Sequence, residues 1–322
     1  MKTMNKSKIA LPLHLQDFLD WIDVERGLSS KSQENYSRFL KKFFSWLDEK
    51  KLSSLKPHEL SPEHIWQYRL YLSRECRTPK GEPLKKSTQN YYLIALRIFL
   101  NFFANRDIES LPAEKVELAR NKEERQVRFL NIDQLKKLFE APDTTTFQGL
   151  RDRALLETFF STGMRISEVV SLDVNQIKTS ANIDTFELVI TGKGGRTRTV
   201  YFSRRALDWL QQYLAKRTDM DPALFIRTVN VLNATKETDL RLSARSIEKT
   251  FKRYVIMAGV PLNTTPHVMR HSFATDLLKQ GVDLRVIQDF LGHKHIAATQ
   301  IYAHVTSKQL KDIHSRLHGK KE

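Results

Sequence analysis

Apolar residues recur at helical spacing through the first third of this chain, lose that period over residues 108–126, and afterwards surround a single strand-pair signal. That break limits the chain to two units of different build. In the first, Leu15, Phe18, Leu19 and Ile22 form one stripe. Ser30 followed by Gln33 predicts a capping-box start, and behind it Tyr36, Phe39, Leu40, Phe43, Trp46 and Leu47 share a face. Ser61 with Pro62 predicts an N-cap followed by proline at the first helical position. Ser87 opens a fourth helix carrying Tyr92, Leu96, Phe99 and Phe103. The loop at 74–86 holds five basic and two acidic residues. Residues 1–107 therefore read as a four-helix unit with a basic rim, whose aromatics belong to a core rather than to base stacking. Residues 108–126 contain a proline and many charges and read as a linker, able to run extended across a surface.

Residues 127–322 form the second unit. Alternating β-branched and aromatic residues in TFELVIT and RTRTVYFS flank GKGG, a hairpin signal. Helices are expected at 203–216, at 243–258 with Gly259 as stop, at 266–280 with Thr265 as cap and Pro266 first, and at 284–291 between Asp283 and Gly292. A short helix near 297–303 carries Tyr302, and 307–317 is amphipathic. The fold class is mainly α with a small β-hairpin (α+β).

Charge narrows the partner. The chain of 322 residues carries 53 Lys+Arg against 37 Asp+Glu, a formal +16, spread along its whole length. That distribution suits a polyanion, of which nucleic acid is the commonest; a membrane surface is the competitor. No stretch approaches the ~20 apolar residues of a membrane span, and the N-terminus lacks the apolar core of a signal peptide. The single cysteine, Cys76, leaves no internal disulfide and fits a reducing compartment. The chain reads as soluble and cytoplasmic, with no membrane partner.

The chemistry is read by elimination. GKGGRTRT is not a nucleotide-binding loop, because its Lys is followed by Gly and position 187 is Glu. His267, His271, His293 and His295 could in principle surround zinc, but His267 and His271 lack an intervening Glu, and Arg270 on the same helix face would repel a cation. No carboxylate cluster suits two-metal chemistry. Phosphoryl transfer without metal needs fixed cations on the non-bridging oxygens, and arginine serves best because its planar fork stays protonated. Arg270 with His267 supplies one half. Arg165, at the start of a helix in STGMRISEVVSL, supplies the other, where the helix N-terminus would add positive potential. Each has a plainer reading: Arg165 as a surface partner of Glu168, Lys193 as a hairpin-turn lysine, His293 as a helix-end cap, and Tyr302 as a half-buried helix tyrosine.

Taken in order, Arg165 in TGMRISE, Lys193 in GKGGRTR, His267 and Arg270 in PHVMRHSFAT, His293 in LGH and Tyr302 in TQIYAHV resemble the tyrosine recombinase (phage integrase) family. DLRVIQDFLGHKHIAATQIYAHV is especially similar to the Xer recombinases. The resemblance implies a helical, SAM-like core-binding domain (1–107), a linker (108–126) and a catalytic domain with a C-terminal tail (127–322). It implies that Tyr302 attacks a DNA phosphodiester, giving a 3′-phosphotyrosine and a free 5′-hydroxyl. Arg165 and Arg270 would hold the phosphate, Lys193 would protonate the leaving oxygen, His267 would take or place the tyrosine proton, and His293 would donate a hydrogen bond. Glu168 would brace the arginines or form a plain ion pair. His271, His295 and His304 take structural roles.

No cofactor and no metal are implied. The implied partner is double-stranded DNA with inverted half-sites, bound by a homo-oligomer, a tetramer on two sites. A second recombinase or a DNA translocase is left open as a further partner. The 307–317 segment would dock on a neighbouring protomer or pack on its own domain. The role expected is Xer-type chromosome dimer resolution, hence chromosome partition in the cell cycle. The integrase of a phage or mobile element is the alternative; the lack of an arm-binding domain before residue 11 favours Xer. A type IB topoisomerase fits less well with the small helical N-terminal unit, and a catalytically dead DNA-binding protein fits less well with six retained site residues. The stretch 228–239 is read as an insertion.

Overall fold

The computed structural model describes residues 4–119, 128–177, 184–192, 195–228 and 239–292. The chain divides into two compact units, Met1–Glu124 and Arg125–Glu322, each with its own core.

The first unit holds α1 (Leu15–Val24), α2 (Ser30–Glu49), α3 (Pro62–Arg74) and α4 (Lys86–Asn105). α4 packs on the other three, and α1 packs on α2. The stripes expected from the sequence face inward: Phe18, Leu40, Phe43, Trp46, Leu47, Leu96, Phe99 and Phe103 are buried. Phe18 meets Phe99 edge-on, with ring centroids 5.3 Å apart. Tyr36, Phe39 and Tyr92 pack half-buried against the same core. Ser61 caps α3, its hydroxyl accepting from the His64 N–H at 3.4 Å, with Pro62 in the first turn. Two expected starts move. α2 begins at Ser30 with Ser29 in the cap position and no side-chain cap; Gln33 donates instead to Asp23 and to the Leu28 carbonyl. α4 begins at Lys86, one residue before Ser87. The basic side chains of 74–86 are all exposed.

The expected linker is shorter than its composition suggests. Leu111, Ala113 and Val116 are buried in the first core, and Asn90 pairs with both backbone groups of Ala119 at 2.9 Å. Apolar residues spaced this irregularly leave no helical or strand period to detect.

The second unit contains α5 (Ile132–Glu140), α6 (Phe147–Thr162), α7 (Ile166–Val170), the hairpin β1 (Thr185–Thr191) and β2 (Thr197–Ser203), α8 (Arg204–Ala215), α9 (Ala244–Met257), α10 (Pro266–Lys279) and α11 (Leu284–Leu291). β1 and β2 are antiparallel, with Ile190 opposite Arg198 and Leu188 opposite Val200. The mainly α class with one small hairpin holds. The caps Ser203, Ser243, Thr265 and Asp283 all accept from the first turn of their helices. α6 is central, touching α5, α8, α10 and β2. Because neighbours surround it, α6 buries Leu150, Leu155, Leu156 and Phe159 together with charged Arg151, Asp152 and Glu157. Asp152 is fully buried and satisfied by Arg151, Arg253 and the Tyr254 hydroxyl, which ties α6 to α9.

Among the described residues no helix is long and apolar enough to cross a membrane.

Candidate active site

The cavity of the site is lined from three stretches of the second unit, 164–167, 248–252 and 262–270. α6 ends at Gly163, whose φ of +58° is left-handed; a Cβ there would lie 2.6 Å from Phe273 Cδ1, so only glycine fits both the turn and the contact with α10. The turn delivers Arg165 to the start of α7. α7 has five residues, and its leading amide, Arg165 N–H, donates to Glu168 Oε2 at 2.7 Å. An internal carboxylate therefore takes one of the donors at the helix start where the sequence suggested an anion.

Glu168 is the electrostatic centre. It accepts from Arg165 Nη1 at 3.0 Å and from both Nη1 and Nη2 of Arg198, at 2.9 and 2.7 Å. Burial alone would raise its pKa, but the hydrogen bonds from Arg198 and Arg165 carry it down to about 2. Glu168 is thus a buried brace rather than a surface ion partner. Arg165 keeps its side chain 33% exposed.

α10 supplies His267 and Arg270. Thr265 caps the helix, accepting from the Val268 N–H at 3.4 Å, and Pro266 starts it without wasting a donor. The sequence places His267, Arg270 and His271 on one helix face, and the structure separates them by depth. Arg270 is buried and donates to the Gly163 and Leu291 carbonyls. His267 is exposed, and His271 stands edge-on behind it, ring centroids 4.5 Å apart. Partial loss of water lowers the His267 pKa, and the Arg270 and Arg165 cations lower it further. Deeper burial, then His267 and Arg270, bring His271 down to about 4. Both imidazoles are neutral near pH 7.

Arg165, His267 and Arg270 line one cavity of about 620 Å³, together with Lys252 and Glu248 of α9. Its lining includes Arg165 and Arg270 among largely apolar side chains such as Met164 and Phe251. An anion there would meet two guanidinium groups and a neutral ring nitrogen. Among the described residues no group of three or more His, Cys, Asp or Glu is placed to hold a metal. Lys193, His293, His295, Tyr302, His304 and the stretches 229–238, 297–303 and 307–317 lie outside the described residues.

Reasoning from the sequence missed Arg198. Its signal was present: Arg198, Val200 and Phe202 alternate along β2, and the latter two are buried. An arginine in phase with a strand's inward face needs an acceptor inside.

Residues 128–309 match the phage integrase family, and residues 15–107 match the phage integrase N-terminal SAM-like domain. The chain is 33% identical over 305 residues to tyrosine recombinase XerD of Lacticaseibacillus casei, spanning 94% of this chain and 98% of that protein. It is 36% identical over 313 residues to tyrosine recombinase XerC of Pelotomaculum thermopropionicum, spanning 95% and 98%. In fold it is similar to the XerH site-specific recombinase crystallised in a post-cleavage complex with palindromic difH substrate, with a TM-score of 0.71 at 19% identity over 97% of this chain and 98% of that one. With the arginine–histidine cavity in the second unit and a helical first unit, the chain belongs to the phage integrase family, the tyrosine recombinases, which cut and rejoin DNA through a tyrosine intermediate.

Proposed function

We propose that this site-specific recombinase works in the Xer manner, resolving chromosome dimers in the cytoplasm, with Tyr302 as its nucleophile. The observation that carries the reading is the common cavity of Arg165, His267 and Arg270. A phosphodiester in that cavity would place its non-bridging oxygens against two guanidinium groups, where negative charge grows in the transition state.

Tyr302 Oη attacks phosphorus as its proton leaves. Neutral His267 takes or directs that proton, and its lowered pKa keeps it able to accept. The P–O5′ bond breaks, and Lys193 protonates the departing 5′-oxygen. His293 donates a hydrogen bond to the phosphate. The products are a 3′-phosphotyrosine and a 5′-hydroxyl. Attack by a second 5′-hydroxyl reverses the steps, so the ester stores the bond energy and no nucleotide is consumed. The DNA would carry inverted half-sites, held by a tetramer of this chain across two sites. XerD and XerC relatives support the chromosomal role, and integration of a mobile element is the competing outcome.

The test is adduct trapping. The protein and its Tyr302→Phe variant are incubated with sheared DNA of the source organism, denatured, and the attached DNA is sequenced. One enriched chromosomal site with inverted half-sites, absent in the variant, is expected. Enrichment at the end of a mobile element would replace the Xer role with integration. Adducts persisting in the variant would displace Tyr302 as nucleophile.

A further inference from the structure

Three arginines converge on the last turn of α11. Arg198 Nε donates to the Phe290 carbonyl at 3.1 Å, Arg270 donates to the Leu291 carbonyl, and Arg165 Nη2 lies 3.4 Å from the Gly292 carbonyl. These carbonyls are the ones a helix leaves unpaired at its C-terminus, where cations are favoured. The next residue in the chain is His293. Two of the three arginines line the cavity; Arg198 does not.

Arg198 instead meets Glu168, the Phe290 carbonyl and Gly292 at once. Its fork grips both oxygens of Glu168, which holds the Arg165 side chain and amide. Its Cδ lies where a Cβ on Gly292 would come within 2.8 Å, so Gly292, at φ +61°, rests directly on it. A Cβ on Gly192, the residue before Lys193 in the sequence, would stand 3.2 Å from Glu168 Oε1 and 3.5 Å from Arg198 Nη1, so Gly192 backs onto the same ion pair. The side chain is only 9% exposed.

We infer that Arg198 is a positioning residue for DNA cleavage, holding Arg165, Gly192 at the end of β1 and the last turn of α11 in one register. The inference rests on the recombinase reading above. Arg198 touches no reacting atom; it acts through Glu168 and the Phe290 carbonyl. Only a guanidinium meets this geometry, because one ammonium cannot span two carboxylate oxygens and a carbonyl together.

The test measures single-turnover adduct formation by the full-length protein on a nicked duplex carrying the trapped sequence. The proteins compared are wild type, Arg198→Ala, Arg198→Lys and Glu168→Gln. Removal of a group that sets geometry is expected to slow cleavage by about 10- to 100-fold, with duplex binding retained. Arg198→Ala combined with Glu168→Gln is expected to lose little beyond the single changes, since both act through one pair. In Arg198→Ala, Glu168 keeps Arg165 as its cation and loses Arg198, so cleavage should fall on the acid side at a pH that wild type tolerates. Added methylguanidinium should restore part of the rate. Where Arg198→Ala does not fold, Arg198→Lys carries the test, because it keeps the charge and loses the fork.

Wild-type rates in Arg198→Lys or Arg198→Ala would overturn the inference. So would a loss that follows only the unfolded fraction, with no shift in pH profile and no rescue. Absence of a Tyr302-dependent adduct in wild type would instead overturn the recombinase reading, and this inference with it.

Discussion

A carboxylate buried as deeply as Glu168 keeps its charge because two guanidinium groups meet it, and the acid behaviour of the protein follows. Its folded pKa of about 2 lies below its ordinary 4.5, so the stability it contributes is complete above about pH 4.5 and is lost as pH falls through about 2. His271 is depressed in the same sense, to about 4 from 6.5. Its neutral form suits the fold and its charged form does not, so stability is complete above about pH 6.5 and drains away as pH falls towards 4. The melting temperature should therefore drop steadily across that window, most of which lies above the pH at which the Glu168 contribution starts to fall. In His271→Gln the slope should be clearly shallower, with His267 and His14, both also lowered by burial, supplying part of what remains. A melting series by circular dichroism decides it, and an unchanged slope in the variant would remove His271 as the source.

At the scale of elements, the site depends on how α6 turns into α7. Gly163 has a left-handed backbone and no room for a methyl against Phe273. Gly163→Ala should lose about 1–3 kcal/mol from overpacking in addition to the backbone strain. Urea titration should show a lower midpoint with a similar slope; a midpoint equal to wild type would mean that Phe273 yields freely. α6 also explains what the sequence hid. It is buried on several sides, so charged and apolar residues mix around it and no single apolar stripe appears; α10 mixes them in the same way and was read from its cap instead. The outer helices α2, α8 and α9 show their stripes plainly because one face of each meets water.

For the whole molecule, the excess of 16 positive charges is the broadest clue to function. Lysines and arginines that neutralise backbone phosphates release counterions, so affinity for duplex DNA should fall steeply with salt. With six to ten phosphate contacts, the loss between 50 and 200 mM salt would be about 10³–10⁵-fold. Fluorescence anisotropy across that range measures the slope. A flat response would mean that the basic surface, including the exposed rim at 74–86, does not face the DNA backbone.

Local features of the chain are enough to determine most of the elements. The helices α8 to α11 follow from their caps, and β1 and β2 from alternation around GKGG, because these signals act within a turn or a strand. Arg165, His267 and Arg270 were also legible, since their residue types and order suit a phosphate. Tertiary structure alone decided which of them lies deep, which imidazoles stay neutral, and that Arg198 joins the group. Those outcomes depend on contacts across long separations, such as Arg165 with Gly292 at 127 positions and Arg270 with Gly163 at 107. Desolvation and charge pairing arise only once packing brings such residues together, so local sequence carries their ingredients but not their depth or their partners.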